Sequence, residues 1–435
     1  MHWLLLAALI FSDPTTLLIP PFKHTLGIHR TSKFFLNMFL GSDFQINDPE
    51  GVVAVRMKET DNPNTSTDDP ILTLFAINSG ASQIIYNNGL LKLSIFGKTG
   101  NRKNEFFHPQ GIAANADGDI YVADTDNNRV VKLKYRNGEL IWDSILADSL
   151  KVPIGVAIDS KKRIYVAEQG DSKIVVLDSL GAIFYQWHQD LINPTGIAVV
   201  DQDDSWNYYR ENFMVVIDKS NKRISKFNLN GKLLNSVDAR TIGLSEVDFA
   251  YLAIDYYANI YVTDRINHQI HKFDHNLNYI ISFGKKGTGD NQFCSPRGIT
   301  IWRRFGQVFI TEVEGGQYYW LGLDSYLVGC SPEKFTTEKP GTIIALYLTE
   351  LAEIKVGIYN EQDKVIRLLT QEQLQKSGEA LIVWDGRNSN GNIVEPGVYR
   401  IKLEIRPAYG APKRYFKKEL RTLVQCIDES EVKVN

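Results

Sequence analysis

The chain has 435 residues, 43% hydrophobic and 23% charged, which is enough for two well-buried domains. Its 48 Lys and Arg against 51 Asp and Glu leave a net charge of −3, so no general affinity for nucleic acid or anionic membrane is expected. Beyond the opening run Trp3 to Phe11, every apolar stretch is short and interrupted by charge, which excludes a helical membrane span.

That opening run has the length of a signal-peptide core and is too short to cross a bilayer. Residues 1–21 therefore read as a signal peptide and N-terminal segment, and the protein as exported, to the periplasm or the extracellular space. Residues 22–32 are irregular and basic. Next, Phe34 to Gly41 has the pattern of an outermost sheet strand, as in Leu93 to Gly97 and Ile280 to Gly284. Such a strand ahead of the first repeat would close a ring with pieces from both chain ends; Tyr326 to Gly329 competes for the slot.

A repeat then dominates. Phe106 to Val131 runs through a Pro-x-Gly turn (Pro109, Gly111), an apolar strand, an Asp-Gly turn (Asp117, Gly118), a second strand Ile120 to Ala123, and Asp124-x-x-Asn127. The same order of parts begins at 49, 109, 153, 194, 249 and 296, with Phe249 standing in the proline position of the fifth copy. Each copy reads as four short strands, shown in full by Ile112 to Asn115, Ile120 to Ala123, Val130 to Lys134 and Leu140 to Ile145. Radially stacked four-stranded sheets make a six-bladed β-propeller. The motif resembles the NHL repeat, over about residues 33–330.

Several residues are candidates for function. The position between Pro and Gly should face the mouth of the central channel, and holds Glu50, Gln110, Ile154, Thr195, Ala250 and Arg297. Propeller lyases of the peptide-amidating type, which this repeat also resembles, carry metal-binding histidines near such positions; none stands here. Glu50 and Gln110 remain as ligands for a channel metal, with Arg297 as a neutralising partner for Glu50. The acids ending the second strands, Asp124, Glu168, Asp218, Asp264 and Glu312, recur in nearly every copy, and a short acid at that junction caps the turn. His268, His271 and His275 cluster in sequence, but strand alternation sends neighbours to opposite faces.

Copies one and four carry insertions between their first two strands, Lys58 to Pro70 and Asp201 to Asn212, which a six-membered ring would place opposite each other. The second holds Asp201, Asp203 and Asp204, a weak calcium signal, beside Trp206, Tyr208 and Tyr209. Copy six has Trp302-Arg303-Arg304-Phe305 in its turn, a composition found at interface hot spots. Of the three cysteines, Cys294 and Cys330 flank the last copy and would staple it if bridged.

After a polar linker at 331–339, strands recur through 340–430 with turn residues between them, as in a β-sandwich. Trp384-Asp385-Gly386-Arg387-Asn388-Ser389-Asn390-Gly391, followed by Pro396-Gly397-Val398-Tyr399, resembles the Ig-like domain first defined in the flagellar hook-capping protein FlgD. Trp384 and Tyr399 would fill its core, and Gly386, Gly391 and Gly397 would permit its tight turns.

No nucleophile–base pair, phosphate loop or cofactor fingerprint is present. The expected protein is an exported, non-catalytic binding or scaffold protein. Its propeller loops would meet a protein or carbohydrate partner, with the Ig-like domain as spacer, anchor or assembly module. The alternative is a metal-dependent hydrolase or lyase at the channel mouth.

Overall fold

The computed structural model describes residues 15–429 apart from 26, 59–60, 62–71, 88–91 and 221. The apolar run Trp3 to Phe11 lies outside the described residues. The chain divides into two compact units, Ile19–Trp320 and a second made of Leu321–Asn435 with the first eighteen residues. Among the described residues, no helix is long and apolar enough to cross a membrane.

The first unit is a β-propeller whose described residues form six antiparallel sheets, five of them four-stranded. Sheet one contains Pro49–Val55, Thr73–Asn78, Gln83–Asn87 and Leu93–Phe96, in chain order from inside to outside. Sheet two begins at Ile112–Ala114, sheet three at Pro153–Ile158, sheet four at Pro194–Val200, sheet five at Phe249–Ile254 and sheet six at Pro296–Trp302. Between neighbours the second and third strands interdigitate. Phe75 and Ile77 of sheet one pack on Ile120, Val122 and Leu133 of sheet two, and Tyr121 and Ala123 of sheet two pack on Ile164 and Val166 of sheet three. Both faces are buried, which is why these strands are continuous apolar runs rather than alternating ones.

The Pro-x-Gly signature is a bulge. Pro153 lies opposite Glu168 while Val156 lies opposite Val166, so the register slips at Ile154-Gly155; sheets one, four, five and six slip at the same place. The slip turns the carbonyl of the middle residue toward the preceding sheet. A Cβ on Gly51 would lie 2.5 Å from Gln110 O, and Cβ atoms on Gly111, Gly155 and Gly298 would strike the carbonyls of Ile154, Thr195 and Glu50. Glycine is required there by close approach of backbone rather than by φ.

Each second strand ends in a side chain that holds the chain entering its own first strand. Asp124 accepts from Phe107 N at 2.7 Å, Glu168 from Lys151 N at 2.9 Å, Asp218 from Ile192 N at 3.0 Å and Glu312 from Cys294 N at 2.7 Å. In sheet one Asn78 does the same for Asn47 N at 2.7 Å, and in sheet five Asp264 takes Asp248 N at 3.2 Å. Asn127 and Asn267 donate back to Asp124 and Asp264; Asn221 lies outside the described residues.

Ring closure differs in its element from the sequence expectation. Sheet six is Pro296–Trp302, Gln307–Glu312 and Gly315–Leu321, and its outer strand is Arg30–Ser32, with Arg30 opposite Gln317 and Ser32 opposite Gly315. The run expected to close the ring is instead a helix, α1, at Lys33–Leu40. The competing segment Tyr326 to Gly329 belongs to the second unit, within the strand Ser325–Ser331.

The second unit is a sandwich. One sheet orders Ser325–Ser331, Thr342–Leu348 and Gly378–Trp384; the other orders Lys334–Thr336, Lys418–Ile427, Gly397–Pro407, Ala352–Tyr359 and Val365–Gln375. Trp384 is fully buried, 5.4 Å from Tyr399 and from Phe335, and the Tyr399 hydroxyl donates to Glu395 O at 2.8 Å. Gly386 and Gly391 have φ of +69° and +82°, while Gly397 needs neither positive φ nor close approach. Thr15 N donates to Asp324 Oδ1 at 2.6 Å, so the chain around residue 15 belongs to this unit.

Two sequence readings are corrected by these strands. Residues 331–339 are not a linker, because they contain a strand of the sandwich and follow another. The Cys294–Cys330 staple is not formed, since Cys330 sits opposite Ile344 in the sandwich core with Cys426 also buried, and all three thiols are free.

Replacing Gly111 with Ala should destabilise the propeller by about 2 kcal/mol, because the new methyl meets the Ile154 carbonyl rather than a yielding side chain. Urea unfolding would read this as a lowered midpoint. The same exchange at Gly391, where a Cβ meets nothing within 4 Å, costs only its backbone strain, about 1 kcal/mol.

Candidate functional site

At the Pro-x-Gly end of the channel the structure gathers Glu50 of sheet one, Arg297 of sheet six, and two residues that sequence reasoning passed over, Tyr251 and Arg265 of sheet five. Glu50 is 3% exposed. Arg265 Nη2 donates to both of its oxygens, at 3.0 and 2.7 Å, and Arg297 Nη1 bridges Glu50 and Asp48. Burial raises the Glu50 pKa above the usual carboxylate value, and the two guanidiniums pull against that without cancelling it. Burial works against the charge on Arg297, yet the Glu50 and Asp48 carboxylates carry its pKa upward overall.

Tyr251 stands where the other copies have the glycine of Pro-x-Gly. Its amide donates to Thr263 Oγ1 at 3.0 Å, and its hydroxyl donates to Gln110 O, in sheet two, at 3.2 Å. The ring therefore spans the channel from the fifth sheet to the second. Burial, with the Glu50 charge beside it, raises the tyrosine pKa well above its ordinary value, so the phenol stays protonated as a donor. Gln110 meets this cluster through its backbone carbonyl, which also accepts from Gly51 N at 3.0 Å.

On the side of the turns between first and second strands, the sheet-four insertion reaches the turns of sheets three, five and six. Asp201 is buried, and its carboxylate accepts from Ser160 N, Ser160 Oγ and Asp203 N at 2.6–2.9 Å. Burial alone would raise its pKa, but these bonds outweigh it and the pKa is lowered. Asp203 faces Lys161 at 3.4 Å and Asp204 faces Arg303 at 2.7 Å, so the three acids serve three partners rather than one cation. Among the described residues, no three His, Cys, Asp or Glu side chains group as metal ligands would.

Trp206, Tyr208 and Tyr209 are 37%, 43% and 37% exposed. Arg304 of sheet six lies 5.5 Å from the Trp206 ring and donates to Asp61 of the sheet-one insertion at 3.0 Å. Tyr208 packs edge-on against Tyr257 and Tyr209, and Tyr209 stacks on His275. Lys58 of the sheet-one insertion pairs with Asp117; Glu59, Asp68 and Asp69 lie outside the described residues. Trp302 and Arg303 are half-buried, flanking Arg304, which also stacks on Phe305. His268, His271 and His275 take separate partners, Ser295 N, Ser282 with Asp264, and Glu211.

Replacing Arg297 with Met should leave Glu50 short of one cation and cost about 3 kcal/mol at neutral pH. The sign with pH follows from linkage: a carboxyl whose folded pKa is raised keeps full stability below its unfolded value and loses it as pH rises through the folded pKa. The deficit of R297M should therefore be small near pH 4 and grow toward pH 7 in thermal melts. Glu50→Gln should cost about 3 kcal/mol at pH 7, because Arg265 and Arg297 keep their charges without the carboxylate they share. Equal deficits at both pH values would refute this account of Glu50.

Comparison with known proteins follows the two units. Residues 106–133 match the NHL repeat, and residues 333–406 match the FlgD Ig-like domain. No curated protein matches the sequence. Among solved structures, the chain is similar to a streptogramin B lyase at 13% identity and TM-score 0.44, over 64% of this chain and 95% of that one. It is similar to virginiamycin B lyase from Staphylococcus aureus at 12% identity and TM-score 0.42, over 57% of this chain and 76% of that one. A third similarity is to PorZ, described as a surface component of the type-IX secretion system of Porphyromonas gingivalis. It has 12% identity and TM-score 0.42, over 86% of this chain and 51% of that one. The chain thus carries an NHL repeat in its propeller unit and a FlgD Ig-like domain in its second unit.

Proposed function

We propose that this is an exported binding or scaffold protein without a catalytic role, whose propeller offers the sheet-four insertion to a protein or carbohydrate partner while the Ig-like domain serves as spacer or assembly module. The observation that carries the reading is the order of that loop. Asn207 Nδ2 ties Asp201 O to Glu211 O at 2.9 and 2.8 Å, and Arg210 reaches Asp204 O at 2.8 Å. Three aromatic side chains are thereby held half-exposed on a loop anchored to the turns of sheets three, five and six. A preordered aromatic patch binds with little further loss of entropy.

The channel mouth supports the same reading. A metal site there would draw on Glu50 and Gln110, but the Glu50 carboxylate is already engaged by Arg265 and Arg297, and Tyr251 lies across the opening.

The test is surface plasmon resonance of full-length protein against a panel of purified envelope glycans and the stoichiometric protein that co-purifies with it. Replacing Trp206, Tyr208 and Tyr209 together with Ala should weaken the captured partner at least thirtyfold, the loss expected from one hot-spot residue. Affinity unchanged in the triple variant would dismiss the loop as the binding surface.

A further inference from the structure

Where sheet six meets sheet one, the propeller is not packed as it is elsewhere. In sheets two to five, the first and third apolar residues of the second strand and a large residue of the third strand fill the gap to the preceding sheet. These are Ile120, Val122 and Leu133; Ile164, Val166 and Leu177; Met214, Val216 and Phe227; and Ile260, Val262 and Phe273, all at 0% exposure. The corresponding residues of sheet one are Leu74, Ala76 and Asn87, and all three are half-buried. Asn87 Oδ1 accepts from Leu74 N at 2.7 Å, which fixes it at that place in the register. Valine has become alanine, and leucine or phenylalanine has become asparagine.

A cavity of about 340 Å³ opens at this seam, within the range of small-molecule sites. Its lining runs from Pro49 and Val52 on the innermost strand to Leu93 on the outermost, a reach of about 14 Å at three strand spacings. It lies between the facing sides of sheets one and six, as a slot. Phe309 of sheet six forms the facing wall, and Phe35, Leu36 and Phe39 of α1 close the outer end. Phe39 is also 39% exposed, which puts the mouth at the helix.

One polar group in the slot is unanswered. Gln307 is 4% exposed and lines the cavity; its amide nitrogen donates to the Tyr318 hydroxyl at 2.9 Å, while its buried Oε1 accepts from no donor among the described residues. A buried acceptor without a donor is costly and calls for a partner.

We propose that this seam is a binding slot for a single alkyl chain bearing a hydroxyl or amide head, the chain lying along the strands' stacking direction and the head donating to Gln307 Oε1. The site is separate from the aromatic loop and does not depend on the binding role assigned to it.

The test uses full-length protein and calorimetric titration with 1-decanol, decanamide and decyl methyl ether, the ether having the same chain without a donor. Wild type should take up one decanol or decanamide saturably, and the ether about fivefold more weakly. A76V/N87L, which restores the filling seen in sheet two, should lose at least tenfold in affinity for all three. Gln307→Leu should retain the ether and lose the preference for the alcohol. Absence of saturable binding to wild type, undiminished binding to A76V/N87L, or an alcohol preference that survives in Q307L would each overturn the proposal. Should the double variant fail to fold, the Gln307→Leu comparison alone decides, because it reads a ratio rather than an affinity.

Discussion

The propeller depends on one close approach repeated around its axis. At four of the six joints the carbonyl of the middle residue comes against the glycine of the preceding sheet, at a distance that leaves no room for a Cβ. The bulge supplies the carbonyl's direction, and the acid or amide at the end of the second strand fixes the segment that leads into it. Proline, glycine and the terminal acid are thus three parts of one joint. A substitution at any of them disturbs both sheets that share it, which explains why the motif is carried as a unit through the chain.

That coupling is also why so much of the fold could be read from residues alone. A glycine with an inter-sheet role must recur at the period of the sheet, and an acid with a capping role must recur with it, so the repeat announced a propeller before any contact was known. What escaped is the part where the repeat gives no instruction. Phe34 to Leu40 is apolar enough to pass for an outer strand, but short apolar runs do not distinguish strand from helix. The strand that closes sheet six, Arg30–Ser32, is half-buried and polar, because an outermost strand needs only backbone pairing and hides no side chain in a core. The start of the sandwich was missed for a related reason: its first strand follows the propeller directly, with Ser325 to Ser331 separated from Leu321 by three residues.

The candidate site divides in the same way. Glu50 and Arg297 were legible because the motif assigns their position a place at the channel mouth. Arg265 was not, since it lies in a turn after Asp264 and reaches Glu50 only through three-dimensional closure of the ring. Tyr251 did leave a signal, a bulky residue at a glycine position, but its meaning needed the geometry that sends the ring across the channel. The acids of the sheet-four insertion could be counted in the sequence; that they are consumed singly by Ser160, Lys161 and Arg303 follows from neighbouring turns that the repeat brings alongside.

A repeat protein is informative where its copies disagree. Sheets two to five share an inter-sheet filling that varies in size but stays apolar, so a polar or shortened residue there is a departure from what the ring requires for packing. Tyr251 departs by adding bulk, and the channel is spanned as a result. Ala76 and Asn87 depart by removing it at the seam where the first and last sheets meet. That seam is also where the chain is discontinuous, joined by an N-terminal strand and helix rather than by a direct inter-sheet link. The ring can tolerate a gap at this joint because Arg30–Ser32 secures sheet six by backbone hydrogen bonds that do not draw on side-chain packing. Stability is held by the ladder, and the space between the sheets is left free for something else.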